Sequence, residues 1–140
     1  MGKAEREKGK AGEREIAHIL QAAGFDGARR TAQHCGRSGD ASDVVGIPGL
    51  HLEVKRCETT KIHDWLAQAI RDSSGTGNKP VVLHRRSKEK WAATMLLDDF
   101  LEIVSAAIGY QGEQSERLAR SEANGTVITR YNNKETAEGK

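Results

Sequence analysis

An aspartate, a glutamate and a lysine fall within the thirteen residues Asp43-Val44-Val45-Gly46-Ile47-Pro48-Gly49-Leu50-His51-Leu52-Glu53-Val54-Lys55. Two carboxylates brought side by side bind a hard divalent cation such as Mg²⁺ or Mn²⁺, which takes oxygen ligands and keeps part of its water. Such an ion polarises a phosphodiester and lowers the pKa of a bound water. A neighbouring ammonium orients the nucleophile and offsets the negative charge that develops. The pattern supplies the needed geometry. Apolar runs at 44–47 and 50–54 flank Pro48-Gly49, a pair suited to a tight turn between two strands. Side chains on a strand alternate between faces. His51, Glu53 and Lys55 therefore share one face, and Leu50, Leu52 and Val54 the other, where a core can bury them. The turn returns Asp43, at the start of the first strand, to the side of Glu53. A lone Glu-x-Lys on a strand is ordinarily an exposed ion pair worth under ~1 kcal/mol, so the surrounding elements decide the matter.

Upstream, a helix is expected from Gly9 to Ala23, ending at Gly24, after a charged and frayed segment 1–8. Ile16, Ile19, Leu20 and Ala23 recur at three and four, as one buried face requires. Glu13 lies on or beside that stripe and needs a partner there: a metal, a lysine or a metal-bound water. A first strand is expected within 25–32, where Arg29 and Arg30 point to opposite faces. A loop follows from Gln33 to Ser42, with His34 and Ser38 as candidate substrate contacts. Downstream, Thr59 or Thr60 would cap a helix from Lys61 to Ser73, with Ile62, Trp65, Leu66, Ala69 and Ile70 as its apolar face. Gln68 sits on the flank of that face, within reach of the site, and Trp65 reads as core.

Two more strands are expected at 80–86 and 91–97, joined by the basic turn Ser87 to Lys90. A last helix, capped by Asp98 or Asp99, would bury Phe100, Leu101, Val104 and Ile108 and end at Gly109. Residues 1–108 then form the folded domain. Residues 109–140 form a polar tail, poorly ordered or docked on a partner, with only 127–131 strand-like.

Several of these segments resemble one family. Asp43 followed by Glu53-Val54-Lys55 looks like the D-x(n)-E-x-K signature of the PD-(D/E)xK nuclease superfamily. Lys10-Ala11-Gly12-Glu13-Arg14-Glu15 is similar to the opening helix of its archaeal and phage Holliday-junction-resolvase-like branch. Arg37-Ser38-Gly39-Asp40 resembles the Ser-Gly element that precedes the aspartate strand there, and Gln68 matches the polar position after the E-x-K strand. The likeness spans residues 8–100. It implies an α/β fold, a mixed central sheet flanked by helices in the order αβββαββα. It also implies a Mg²⁺- or Mn²⁺-dependent DNA endonuclease, in this branch one that nicks four-way junctions as a homodimer. Asp43, Glu53 and Glu13 would hold the metal, joined by the carbonyl of Val54. Lys55 would orient the water, and Gln68 and Ser38 the phosphate. Arg29, Arg30, Arg37, Arg56, Arg85 and Arg86 would grip the DNA backbone.

Composition fits without deciding. A chain of 140 residues accommodates one modest core. The net charge of +2 does not announce a nucleic-acid binder, but the cations cluster at 84–90, Arg29-Arg30 and Lys55-Arg56, as phosphate neutralisation requires. No apolar run approaches the ~20 residues of a membrane span. The charged N-terminus carries no secretory pattern, and two cysteines suit a cytoplasmic protein. Zinc held by His34, Cys35, Cys57 and His63 would lack the paired short spacings of structural sites. Two rival functions share the fold: a DNA-binding or assembly protein without catalysis, and a restriction- or packaging-type nuclease acting on plain duplex.

Overall fold

In the computed structural model, which describes residues 2–31 and 42–123, eight elements follow in the expected order. They are α1 (Lys3–Ala22), β1 (Arg29–Arg30), β2 (Val44–Val45), β3 (Leu50–Arg56), α2 (Ile62–Ser73), β4 (Lys79–Arg85), β5 (Ala92–Met95) and α3 (Leu97–Ala123). The strands form one mixed sheet in sequence order. β1–β2, β2–β3 and β4–β5 pair antiparallel, while β3 and β4 run parallel, joined by the α2 crossover. Pro48-Gly49 makes the β2–β3 turn, with Gly49 at φ 80°.

The alternation along β3 sorts the two layers. Leu52 and Val54 point toward α1, where they pack with Ile16, Ala17, Val44 and Val81, and with Leu20, Trp91 and Met95 at the margin. Gly12 lets α1 approach closely, since a Cβ there would lie 3.1 Å from Arg56 Cβ. His51, Glu53 and Lys55 point toward α2. This second face is not solvated: His51 and Glu53 are 0% and 3% exposed. β3 is a central strand buried on both sides.

Gly46, which the sequence pattern does not single out, is fixed by sterics. Its φ is 123° and a Cβ there would sit 2.4 Å from Ala28 Cα. Gly46→Ala adds an overpacking cost of ~1–3 kcal/mol to strain at a φ that L residues avoid. The variant should melt roughly 10 °C below wild type, at ~4–8 °C per kcal/mol for a domain of this size. Differential scanning calorimetry checks this.

Several expectations need correction. Residues 3–8 are helical rather than frayed: they are good helix formers, Glu5 accepts the Gly2 N–H at 3.0 Å, and Lys8 pairs with Glu58. The first strand is two residues long, because Ala28 N–H bonds back to Phe25 in a turn. Neither Thr59 nor Thr60 caps α2; Lys61 holds that position without a side-chain cap. Trp65 is half-buried with its ring against His84, centroids 5.9 Å apart. The chain divides into compact units at Phe100/Leu101. α3 passes through Gly109 to Ala123, and Phe100, Leu101 and Ile108 are exposed at 49%, 49% and 64% rather than forming a buried stripe. No helix among the described residues is long and apolar enough to cross a membrane.

Candidate active site

The site is built where β2 meets β3. Val44 pairs with Leu52, so one step along the antiparallel register sets Asp43 across from Glu53. Asp43 N–H donates to the Leu52 carbonyl at 2.9 Å, and its carboxylate Oδ2 accepts the Val54 N–H at 2.8 Å. The side chain thus continues the ladder that the strand itself abandons. Thr31 secures this corner, its N–H donating to the Asp43 carbonyl at 3.1 Å and its hydroxyl to the Ser42 carbonyl.

Glu53 and Lys55, two apart on β3, meet directly: Nζ lies 2.8 Å from Glu53 Oε1. Gln68 of α2 closes a three-way contact. Its amide donates to Glu53 Oε1 at 2.9 Å, and its carbonyl oxygen accepts from Lys55 Nζ at 3.1 Å. Lys55 remains 24% exposed while Glu53 is sealed beneath it. Gln68→Leu removes both bonds without removing a charge. Losing such a supporting contact costs a metal site ~10–100-fold in activity or affinity, and single-turnover cleavage should fall by that amount with the far-ultraviolet circular dichroism unchanged.

Burial pushes the Asp43 carboxyl up to about 7. The negative charges of Glu53 and Glu13 push the same way, against the Val54 N–H and Lys55. The electrostatics are those of a site that wants a cation. Glu13 does have the partner its position demands, but it is Arg30, whose Nε donates to it at 2.7 Å.

These donors fit a hard divalent ion. Among the described residues no three His, Cys, Asp or Glu side chains converge as a ready-made cluster. Mg²⁺ needs none, since it is held by one or two carboxylates and keeps several waters. Asp43 and Glu53 are the pair on offer.

The other expected site residues divide. Arg29 is exposed. Arg85, at 12% exposure, is engaged with α1: it pairs with Glu15 at 2.9 Å and lies over the Trp91 ring, whose indole N–H also donates to Glu15. Arg86 is exposed and pairs with Glu89. Arg56 Nε is buried without a partner among the described residues. His34, Arg37 and Ser38 lie outside the described residues, as does Cys35; Cys57 and His63 are exposed. His51, in phase with Glu53 and Lys55, and Ser42, bonded to it at 2.9 Å, belong to the site without having been assigned a role. The period-two phase of His51 was the available signal.

A family model described as "Phage putative PDDEXK endonuclease" matches residues 4–133. A solved structure from Archaeoglobus fulgidus, Hjc, described as a Holliday junction resolvase from an archaeal hyperthermophile, aligns at 25% sequence identity with a TM-score of 0.49. The alignment covers 62% of this chain and 76% of that one. No curated protein matches the chain.

Proposed function

The chain belongs to the phage PDDEXK endonuclease family, and on that premise we propose that it hydrolyses DNA phosphodiesters with Mg²⁺ or Mn²⁺, and that its substrate is branched DNA, a four-way junction above all. The observation that carries the proposal is the Lys55 ammonium held between Glu53 and Gln68, beside an Asp43 carboxyl pushed up by its burial and then by the negative charge of Glu53.

Asp43 and Glu53 would hold the ion, with Glu13 and the Val54 carbonyl as the remaining candidates. The bound metal supplies Lewis acidity and an acidified water. Lys55 has three N–H donors. Glu53 and Gln68 occupy two, which leaves one for the attacking water or a phosphoryl oxygen. Being fixed beforehand, the ammonium needs no reorganisation as charge develops. Gln68 keeps Lys55 and Glu53 in register. In-line attack would leave 5′-phosphate and 3′-hydroxyl ends.

Arg29 and Arg86, both exposed, would meet the DNA backbone, with Arg37 and Ser38 as further contacts. Arg30 and Arg85 are occupied by Glu13 and Glu15. The junction preference is supported by the resemblance of residues 10–15 and 37–40 to the resolvase-like branch. Paired cuts need two sites, and a twofold dimer is the commonest way to supply them. Such an enzyme works in the cytoplasm.

Incubation with a four-way junction and a matched linear duplex, in Mg²⁺ and in EDTA, tests the proposal. Cleavage of the junction alone, and only with Mg²⁺, is expected. Equal cleavage of both would leave a restriction- or packaging-type duplex nuclease. Binding without any cleavage would leave a DNA-binding or assembly protein.

A further inference from the structure

At the floor of the site a buried imidazole nitrogen faces a carboxylate oxygen without a bond between them. His51 Nε2 has no hydrogen-bond partner among the described residues and lies 3.9 Å from Glu53 Oε2, beyond hydrogen-bond reach. Among the described residues the two hydrogen-bonding partners of the Glu53 carboxylate, Lys55 and Gln68, sit on the other oxygen, Oε1. The imidazole is fully buried and anchored at its far nitrogen, where Ser42 Oγ is 2.9 Å from Nδ1.

An unsatisfied ring nitrogen in a dry interior costs ~1–3 kcal/mol, and an apolar side chain would avoid that cost. The geometry also selects a tautomer. If the Ser42 hydroxyl donates to Nδ1, the ring carries its proton on Nε2, aimed at Oε2. The opposite tautomer would set a nitrogen lone pair against carboxylate lone pairs. A shift of about 1 Å closes the bond.

We propose that His51, braced by Ser42, is a positioning residue for Glu53: its Nε2–H takes Oε2 from below and fixes the carboxylate in the orientation that holds a divalent cation. This role rests on the metal-dependent activity proposed above. It adds to it a supporting chain, Ser42 to His51 to Glu53, that runs on the side of the carboxylate away from Lys55 and Gln68. Outer partners of this kind orient a metal's ligands and are worth ~10–100-fold in affinity.

The test is Mn²⁺ binding by the full chain, followed by the electron paramagnetic resonance signal of free Mn²⁺, for wild type, His51→Leu, His51→Gln and Ser42→Ala. Melting in EDTA and DNA cleavage are measured alongside. His51→Leu should weaken Mn²⁺ binding roughly 10–100-fold and lower kcat while leaving KM for DNA unchanged. His51→Gln, which keeps an N–H donor, should recover most of the loss, and Ser42→Ala should fall between.

Equal Mn²⁺ affinity in all four proteins, with wild type binding and cutting normally, would overturn the role and leave the nuclease standing. Equal loss in His51→Leu and His51→Gln would mark a merely structural histidine. Nitrogen coupling in the spectrum of bound Mn²⁺ would make His51 a ligand instead. If His51→Leu does not fold, unchanged affinity in both His51→Gln and Ser42→Ala overturns the role. A wild type that neither binds Mn²⁺ nor cuts DNA would remove the proposed function first, and this role with it.

Discussion

Lys55→Ala should lower cleavage by ~10²–10⁴-fold, the range expected for losing a positioned proton-transfer or charge-stabilising group, while DNA binding persists. Among the described residues the ammonium is the one Lys or Arg group paired with Glu53, at 2.8 Å, and a quarter of its surface faces outward. Its removal deletes the group poised to meet developing negative charge and leaves the arginines untouched. A second effect separates this role from a purely structural one. Glu53 is 3% exposed, and taking the partner from a buried charge destabilises a protein by ~3–5 kcal/mol. Lys55→Ala should therefore melt lower in EDTA and recover on adding Mn²⁺, which replaces the lost positive charge, without recovering activity. Lys55→Arg keeps the charge but not a compact ammonium, so it should fold well and still cut poorly. Single-turnover cleavage with parallel melts checks all three. Undiminished cutting by Lys55→Ala would move the chemistry elsewhere.

Asp43→Asn should do the reverse to stability. An unfolded aspartate ionises near 3.8, whereas burial, with the charges of Glu53 and Glu13, holds the folded Asp43 carboxyl protonated up to about 7. Between those two values the folded state keeps a proton that the unfolded state has lost. Metal-free wild type should thus lose stability as pH rises from 4 to 7, by roughly 4 kcal/mol in total at about 1.4 kcal/mol per pH unit. Asparagine can still accept the Val54 N–H through its carbonyl oxygen but has no charge to bury. In EDTA at pH 8 the variant should be the more stable protein by about that amount, and below pH 4 the two should converge. Adding Mg²⁺ or Mn²⁺ should raise the wild-type melting temperature, because a ligand of the folded state stabilises it, and should leave Asp43→Asn unmoved. Melting curves across pH 4–8, with and without metal, decide the matter. A metal-induced shift that survives the substitution would remove Asp43 as a ligand.

The order of elements and the meeting of Asp43, Glu53 and Lys55 were legible because they depend on local rules. Pro48-Gly49 fixes the turn, a period of two sorts the β3 side chains, and the return of the hairpin does the rest. Gln68 was legible for a similar reason, its position on α2 being set by the apolar residues around it. What escaped depends on partners distant in sequence. Nothing local says that the polar face of β3 lies under α2, so His51 reads as one more residue on an open face. Glu13 shows the need for a partner but not that Arg30, seventeen residues on, would be that partner. Nothing local to Arg85 says that Glu15 and Trp91 would engage it. Gly109 looks like a helix stop, but Gly109 and Gly112 each cost only about 1 kcal/mol in a helix. Residues 111–118 include enough good helix formers, Gln111, Glu113, Gln114, Glu116, Arg117 and Leu118, to carry α3 through.

Whether Asp43 and Glu53 share one ion is settled most directly by anomalous scattering from crystals of the full chain grown or soaked in Mn²⁺. A single peak bonded to carboxylate oxygens of both residues, at the ~2.2 Å typical of such ions, with Lys55 beside it, is the predicted result. A protein that binds Mn²⁺ in solution yet shows its peak away from both carboxylates would contradict the account.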